Sequence, residues 1–212
     1  MKILIISANM GSKATNTMCP QTVPFDFIRL DNSNFPVRQN AMHPRLVGKI
    51  PKMLAWQMYG GYDVYLWIDA PFSMKKETSL QWYLDQLGDK DAAFFKHPNR
   101  NSIEEEYEFM DTLMSKGDNY LLQRYEGESM GGQVSRYLDD DGYTDDRLFA
   151  CTSFIYTKKI VENKEYNVMK EWFFHNCIWS VQDQLSLPYL LHKFNINYNT
   201  INEDVYKVLQ KL

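Results

Sequence analysis

The sequence predicts an α/β sandwich with a mainly parallel central sheet flanked by helices, and three observations support this fold class. Short apolar runs alternate along the chain with segments of helical spacing. Several of these runs are continuously apolar, which is typical of strands covered on both faces. The 212 residues are 44% hydrophobic and 15% aromatic, which is enough for the core of a single domain over residues 1–212.

The first elements follow from apolar runs and two prolines. Residues 3–7 and 25–30 are predicted strands, and the polar residues 9–16 after the first strand form a loop. Pro44 begins a helix whose aliphatic residues fall on one side. Pro51 is expected to kink or divide this helix, because proline lacks the amide donor that a helix interior requires.

The middle of the chain contains the most apolar strand. Residues 64–68 form a continuous apolar run that ends at Asp69, as expected of a central strand. Leucines at helical spacing follow, and Gly88 is placed to end that helix. Residues 92–95 form a further predicted strand.

The last elements begin with a helix that is marked at both ends. Ser102 and Glu105 have the capping-box spacing at its start, and Gly117 is its natural end. The remaining predicted elements are a strand over residues 149–156 and helices over residues 166–176 and 180–193. Pro188 is expected to interrupt the last helix.

Charge, cysteine content and hydropathy exclude several classes of protein. Lys and Arg total 23 against 27 Asp and Glu, and this net charge of -4 disfavours duplex nucleic acid as a partner. Three widely spaced cysteines predict neither a disulfide framework nor a metal knuckle. No apolar stretch is long enough to span a membrane, so we expect a cytoplasmic protein. The motifs of P-loop NTPases, dinucleotide-binding proteins, α/β-hydrolases and zinc proteases are absent.

Polar residues follow three of the predicted strands, at the edge where ligands collect in open α/β sheets. These candidates are Ser7, Ala8 and Asn9 at the end of the strand over residues 3–7, Asp69 and Ala70 after residues 64–68, and His97 and Arg100 after residues 92–95. Asp69 is suited to bind a cation or to accept hydrogen bonds from ribose or sugar hydroxyls. The alternative is that Asp69 only caps the following turn.

A basic stripe is predicted on the helix that Pro44 begins. Arg45, Lys49 and Lys52 are spaced to line one face of that helix. A diphosphate suits this stripe, because Arg can grip it with two hydrogen bonds and Lys adds point charge. Arg38, just upstream, is a candidate for the same site. The alternative is an ordinary solvated helix face.

Two further groups have both a functional and a structural interpretation. His97 and Arg100, with a glutamate from residues 104–106, are candidates to hold an acceptor hydroxyl or a phosphate, although a lone His is more often structural. Asp183 lies three residues after Ser180, so it is either a capping carboxylate or a side chain directed into a cleft, as a general base or as an acceptor for sugar hydroxyls. The aromatic residues just before it, Trp172 among them, are candidates for a sugar-stacking floor or for the core.

Four segments carry a family resemblance, namely residues 49–52, 62–70, 97–105 and 172–189. In order and approximate spacing, they resemble the glycosyltransferase-like domain of plant mucilage-related proteins and its bacterial and viral relatives. The match extends over residues 45–190. Its most specific parts are the W-I-D sequence that ends at Asp69 and the D-Q-L-S-x-P sequence that begins at Asp183.

The resemblance implies a Rossmann-like GT-A fold, in which a D-x-D motif at a strand end binds the metal that holds a sugar-nucleotide diphosphate. Asp69 matches the first Asp of that motif, whereas Pro71 stands where the second Asp belongs. We therefore expect a divalent cation, Mn²⁺ or Mg²⁺, held by Asp69 and the diphosphate. Metal-independent transfer, with Lys and Arg neutralising the diphosphate, is the competing interpretation.

The resemblance and the strand-end argument together assign the site residues. Asp183 and Gln184 are implied as catalytic residues near the donor sugar and the acceptor. The expected donor-binding residues are Ser7, Ala8, Asn9, Arg45, Lys49, Lys52, Asp69 and Ala70, and the expected acceptor-binding residues are His97, Arg100 and Trp172.

These assignments predict a glycosyltransferase that moves a sugar from a nucleotide-diphosphate donor to a hydroxyl acceptor. A non-catalytic module of the same fold that binds a nucleotide-sugar or a glycan is the first alternative, and the incomplete metal motif favours it. A nucleotidyltransferase is ranked last, because residues 9–13, after the first strand, offer only one Gly and one Lys.

Overall fold

The described part of the structure, a computed structural model, comprises residues 1–10, 17–35 and 42–212. Its strands are β1 (Ile3–Asn9), β2 (Asp26–Asp31), β3 (Val64–Ile68), β4 (Phe72–Met74), β5 (Ala92–Lys96), β6 (Phe149–Thr157), β7 (Tyr198–Ile201) and β8 (Leu209–Lys211). Its α-helices are α1 (Pro44–Met58), α2 (Ser79–Leu87), α3 (Ile103–Ser115), α4 (Asn119–Tyr125), α5 (Met130–Leu138), α6 (Val168–Ile178) and α7 (Asp183–Lys193).

A six-stranded sheet in the order β2-β1-β3-β6-β5-β7 forms the centre of the fold. β1 pairs in parallel with β2 and β3, and β5 pairs in parallel with β7. β6 is antiparallel to both of its neighbours, β3 and β5, so it alone runs against the other five strands. The structure therefore confirms the predicted α/β fold with a mainly parallel central sheet.

The two faces of the sheet are covered by different layers. Alternate residues of each strand point to opposite faces, so Leu4 and Ile6 join one apolar cluster while Ile3 and Ile5 join the other. The first cluster is shared with α1, α6 and α7, and the second with α2, β4 and β8. Burial on both faces explains why these strands are continuously apolar in sequence.

Helix ends follow the predicted signals in most places. The Ser102 hydroxyl accepts a hydrogen bond from the Glu105 amide at 3.0 Å, which confirms the predicted start of α3. Gly117 follows α3 with a φ of 83°, and Gly88 ends α2 with a φ of 54°, values that favour glycine. The start of α6 has a cap that was not predicted, because the Asn167 side chain accepts a hydrogen bond from the Lys170 amide.

Two expectations about the helices are wrong. Ser180 does not begin α7, because its hydroxyl donates to Gln133 Oε1 at 2.7 Å, and the helix starts at Asp183 after Gln182. The interruption expected at Pro188 does not occur, since α7 continues through it. Of the two alternatives expected at Pro51, a kink or a division, the division does not occur, because α1 continues through Pro51.

Several elements of the structure have no counterpart in the sequence-based prediction. β4 and β8 pair antiparallel in a separate two-stranded sheet, and β7, α4 and α5 were also not predicted. Among the residues that the structure describes, no helix has both the length and the apolar character needed to cross a bilayer.

Candidate functional site

A cavity of about 780 Å³ opens at the carboxyl ends of β1 and β3, beside the start of β6. α1, α3, α4 and the start of α7 complete its walls. The structure brings ten of the sequence-predicted site residues into this cavity, namely Ala8, Asn9, Arg45, Lys49, Lys52, Asp69, Ala70, Arg100, Asp183 and Gln184. The edge is therefore the one at which parallel α/β sheets bind ligands.

The centre of the cavity is an ion-paired cluster built on two helices. Lys49 and Lys52 are three residues apart on α1, so they share one face of the helix. Asp183 Oδ2 lies 2.6 Å from Lys49 Nζ and 2.7 Å from Lys52 Nζ. Asp183 is the first residue of α7, where the helix dipole also favours a negative charge.

Lys52 links this cluster to the sheet. Its Nζ donates to the Cys151 carbonyl oxygen at 2.6 Å and lies 3.6 Å from Asp69 Oδ1. The same ammonium lies 5.5 Å from the Trp67 ring centroid. The Lys52 side chain therefore contacts α7, β6 and the end of β3. These contacts fix the positions of the Asp69 and Asp183 carboxylates relative to each other.

The protonation states of the cluster follow from these pairs. Burial alone would raise the pKa of Asp183, but the ammonium groups of Lys49 and Lys52 outweigh it and lower that pKa to about 2. Burial alone would lower the pKa of Lys52, yet Asp183 and Asp69 raise it. Burial, which Asp183 offsets only in part, lowers the pKa of Lys49. Asp183 is therefore a stable carboxylate at neutral pH.

Asp69 differs from Asp183 in its exposure. Its side chain is 37% exposed, against 7% for Asp183. The Trp67 indole donates from Nε1 to Asp69 Oδ1 at 2.7 Å, and this bond orients the carboxylate at the strand end. Asp69 is therefore the more accessible of the two acids to a ligand.

A second polar network borders the cluster. Glu106 accepts a hydrogen bond from Arg100 Nε, with which it forms an ion pair, and another from Gln182 Nε2 at 2.9 Å. Gln182 Nε2 also donates to Gln184 Oε1 at 2.9 Å, and Gln184 Nε2 donates to the Phe149 carbonyl oxygen at 3.0 Å. Gln184 is therefore held at both ends of its amide.

Two arginines and two tyrosines form the outer wall of the cavity. The Arg45 guanidinium carbon lies 5.9 Å from the Tyr125 ring centroid, and the Arg124 guanidinium carbon lies 3.9 Å from the Tyr120 ring centroid. The Tyr125 hydroxyl donates to Gln182 Oε1 at 3.1 Å, which connects this wall to the second network.

Three predicted site residues do not line the cavity. Ser7 is fully buried in β1. The His97 ring accepts hydrogen bonds at Nδ1 from the Asn99 and Arg100 amides, which is the structural role that the sequence left open. Trp172 is fully buried, and its indole donates to the Asp183 carbonyl oxygen at 2.9 Å. As placed, Trp172 is a core residue that positions α7, so its assignment as an acceptor-binding residue is corrected. Arg38 lies outside the described residues.

Some cavity residues were not found by sequence reasoning, and one, Glu106, was predicted only as one of three adjacent glutamates. Glu106 is buried while Glu104 and Glu105 are exposed, which agrees with the expectation that the three could not share one direction. Nothing in the sequence indicates which of the three faces inward. Arg124 and Tyr125 lie on α4, a short helix without a recognisable motif, and only the fold brings them to the cavity.

The side chains around Asp69 do not fit a divalent cation. Within residues 1–10, 17–35 and 42–212, no group of three or more His, Cys, Asp or Glu side chains is arranged to hold a metal. Asp69 faces the Lys52 ammonium, and Asp183 is neutralised by two lysines. Because Lys52 would repel a cation there, the described side chains do not supply a fitting set of ligands for the cation that the resemblance implies, and no step below depends on it.

Comparison with known proteins identifies the type of fold but no family. No protein-family model matches the chain, and no curated protein matches it. Among solved structures, the apo structure of the bifunctional glycosyltransferase WbbM is similar over 94% of this chain, with a TM-score of 0.53 and 11% identity. The aligned region is 38% of that WbbM chain. At this identity the similarity shows a Rossmann-like glycosyltransferase fold and nothing finer.

Two other solved structures align with the chain. One is a glycosyltransferase involved in the glycosylation of the major capsid of PBCV-1, which aligns over 94% of this chain and 81% of that one, with a TM-score of 0.47 and 7% identity. The other is A197 from STIV, which aligns over 95% and 82% of the two chains, with a TM-score of 0.42 and 10% identity.

Proposed function

We propose that this protein is a glycosyltransferase that moves a sugar from a nucleotide-diphosphate donor to a hydroxyl acceptor. One observation carries the proposal. Asp69, at the end of a central strand, and Asp183, at the start of α7, share a cation-lined cavity with the Lys52 ammonium between them. This cavity lies at the ligand-binding edge of a glycosyltransferase-type fold.

The size of the cavity supports a small-molecule donor. Its volume of about 780 Å³ lies within the range of pockets that enclose small ligands and cofactors. Its lining combines several cationic side chains with a few carboxylates and aromatic rings. A nucleotide-sugar needs these three kinds of partner for its phosphates, its hydroxyl groups and its base.

Asp69 is the proposed contact to donor hydroxyls. Its carboxylate is accessible and is oriented by Trp67, so it can accept hydrogen bonds from ribose or sugar hydroxyl groups without first breaking a buried contact. Ala70 and Asn9 lie beside it in the cavity wall. The strand end thus orients the donor relative to the rest of the site.

Asp183 has a different proposed role from the general base that the sequence suggested. A general base works best when its pKa lies near the operating pH, whereas the pKa of Asp183 is lowered to about 2. The permanent carboxylate instead fixes the ammonium groups of Lys49 and Lys52 in the cavity. These charges favour the negative charge that develops on a departing diphosphate. Gln184 remains a proposed neighbour of the sugar.

The binding-module alternative is supported by one specific observation. Asp183 is held by two lysines, which leaves Asp69 as the accessible carboxylate of the central cluster. A protein that only binds a nucleotide-sugar needs no proton acceptor, so a site without an unpaired general base agrees with this alternative. Because both functions require donor binding, the experiment must also measure hydrolysis of the donor.

The test is a thermal-shift screen followed by donor hydrolysis. We expect a UDP-, GDP- or dTDP-sugar to raise the melting temperature by about 5–10 °C at a concentration 100 times its Kd, and we expect CMP-sugars to fail because they lack a diphosphate. Slow hydrolysis of the stabilising donor to its nucleoside diphosphate then identifies an enzyme. Stabilisation without hydrolysis, at long incubation with candidate acceptors, identifies the binding module.

Asp69→Asn is the variant that tests the site, and Asp85→Asn is its matched control. Asp85 is exposed on α2, on the other face of the sheet, where its carboxylate accepts a hydrogen bond from Gln81. We expect Asp69→Asn to lose donor hydrolysis by about 100-fold or more at an unchanged melting temperature of the unliganded protein. Equal hydrolysis in the two variants would remove Asp69 from the mechanism, and no stabilisation by any donor would overturn the proposal.

A further inference from the structure

The cationic side chains of the cavity differ in whether a carboxylate already neutralises them. Lys49 and Lys52 pair with Asp183, and Arg100 pairs with Glu106. Arg45 and Arg124 form no ion pair with any carboxylate in the described part of the chain. The two segments outside that part, residues 11–16 and 36–41, contain no Asp or Glu. Among the cavity residues that the structure describes, these two guanidinium groups are therefore the unneutralised charge.

The same two arginines border one tyrosine, Tyr125. Arg45 lies in the first turn of α1 with its guanidinium carbon 5.9 Å from the Tyr125 ring centroid, and Arg124 directly precedes Tyr125 in the last turn of α4. Burial, and after it the positive charge of Arg124, lower the pKa of Arg45. Two like charges held together in a half-buried wall repel each other, and an anion placed between them removes this repulsion.

Both side chains are also held in place before any ligand arrives. Arg124 lies over the Tyr120 ring at 3.9 Å, and Tyr125 is fixed by its hydrogen bond to Gln182. A guanidinium group fixed in this way forms paired hydrogen bonds to phosphoryl oxygens with little further loss of side-chain freedom. The pair is thus preorganised for an anion with oxygens on both sides.

We infer that Arg45 and Arg124 form the subsite that binds the diphosphate of the nucleotide donor, and that they do so without a divalent cation. The identity of the ligand as a donor diphosphate rests on the function proposed above. Arg45 precedes Lys49 by one helical turn, about 5–6 Å along the face of α1. A diphosphate between the two arginines therefore lies next to the cluster of Lys49, Lys52 and Asp183, where the donor sugar is placed.

This inference changes the assignment made from sequence. The basic stripe of α1 has two parts. Lys49 and Lys52 are already paired with Asp183, whereas Arg45 is not and is free to bind the diphosphate. Arg124, which no sequence motif indicates, joins the donor-binding residues. Two guanidinium groups also supply the positive charge that the divalent cation would provide in a complete D-x-D site.

The experiment measures binding of inorganic pyrophosphate and of the nucleoside diphosphates UDP, GDP and dTDP by calorimetry, with EDTA present throughout. The variants are Arg45→Gln, Arg124→Gln and the double variant, together with Arg136→Gln as the matched control. Arg136 is an exposed arginine in the last turn of α5 and does not line the cavity. Arg45→Lys and Arg124→Lys keep the charge and serve where a glutamine variant fails to fold.

The expected result is that wild type and Arg136→Gln bind pyrophosphate and one of the nucleoside diphosphates in EDTA. Each glutamine variant weakens both ligands by roughly 10-fold or more, and each lysine variant weakens them by a smaller factor, because a charge-assisted bidentate contact is lost. Pyrophosphate and the nucleoside diphosphate compete for one site. Equal affinities in wild type and the double variant, or binding that requires Mn²⁺, would overturn the inference.

The outcomes also separate this inference from the proposed function. Arginine-dependent binding of pyrophosphate, without turnover of any nucleotide-sugar, would support the anion subsite and contradict the proposed glycosyltransferase function. Donor turnover that is unchanged in the double variant would support the enzyme function and contradict the proposed subsite. Simultaneous binding of pyrophosphate and the nucleoside diphosphate would assign the arginines to an acceptor phosphate and contradict the donor assignment.

Discussion

The Lys52 ammonium lies 2.7 Å from the Asp183 carboxylate, and this contact joins helix α1 to helix α7 inside the cavity. Lys49 contacts the same carboxylate oxygen at 2.6 Å. Two buried ammonium groups therefore depend on one carboxylate for most of their neutralisation. Removing a partner from a buried ion pair leaves an uncompensated charge, which costs about 3–5 kcal/mol.

Asp183→Asn is accordingly expected to destabilise the protein by about 3–5 kcal/mol, in addition to any loss of activity. Urea unfolding followed by circular dichroism measures the change. Lys49→Met in the same background is the matching second substitution, because it removes one of the two ammonium groups left without a partner. We expect the double variant to recover part of the lost stability. A stable Asp183→Asn single variant would mean that the ion pairs contribute nothing to folding.

His175 predicts how stability depends on pH. It is buried on α6, and its Nδ1 forms a hydrogen bond with the Tyr137 hydroxyl at 2.5 Å. Burial, with a smaller effect of Lys193, lowers the pKa of His175 to about 4. The unfolded chain takes up a proton near pH 6.5, whereas the folded protein resists protonation until about pH 4, so stability falls as the pH drops through that window.

We expect this effect to remove about 2–3 kcal/mol of the free energy of unfolding between pH 7 and pH 4. His175→Gln should lose less stability over the same interval, because no group titrates at that position. His192→Gln, at an exposed position on α7, is the control and should behave as wild type. A pH profile for His175→Gln that runs parallel to that of wild type would contradict the prediction.

The sequence predicts the sheet better than it predicts the site. Strands buried on both faces have nearly continuous apolar runs, so β1, β3 and β5 could be predicted directly from sequence. The edge strand β7 (Tyr198–Ile201) is only partly buried over most of its length, and the three-residue strands β4 and β8 depend on each other across the chain. Such elements are stabilised by tertiary pairing, and local sequence contains little trace of them.

The site shows the same limit in a different form. Residues at strand ends, such as Asp69, could be predicted because parallel strands direct their carboxyl ends to one edge. The spacing on α1 also placed Lys49 and Lys52 on one face. The partnership of both lysines with Asp183 could not be predicted, since it depends on how α1 packs against the start of α7. Without that contact the helix start was misplaced at Ser180, and Asp183 was considered as a general base.

A buried hydrogen-bond chain beneath the cavity gives a prediction about the sheet. The Ser153 hydroxyl on β6 donates to the Trp67 carbonyl oxygen at 2.6 Å and pairs with the Tyr83 hydroxyl at 2.8 Å. Tyr83→Phe removes one hydroxyl and leaves Ser153 with its acceptor, so we expect a loss of about 1 kcal/mol. Ser153→Ala leaves both the Tyr83 hydroxyl and the Trp67 carbonyl without this partner and should cost about 2–3 kcal/mol.

Urea unfolding of the two variants and of the double variant measures the difference. The double variant should lose less stability than Ser153→Ala alone, because it removes the Tyr83 hydroxyl that Ser153→Ala leaves buried without this partner. A larger loss for Tyr83→Phe than for Ser153→Ala would show that the aromatic hydroxyl, and not the serine, is the centre of this chain.

Glu106 and Arg100 predict a coupling between the α3 wall and the loop after β5. Glu106 is buried, its ion pair with Arg100 lies at the cavity, and its second oxygen accepts from Gln182. Glu106→Gln keeps the size of the side chain but places an amide donor opposite one of two existing donors. We expect a loss of about 1–3 kcal/mol, larger than that of Arg100→Gln, because the Arg100 side chain is more exposed than that of Glu106.

A double-mutant cycle over the two substitutions should give a coupling energy of about 1–2 kcal/mol, and additive losses would show that the ion pair does not connect these elements.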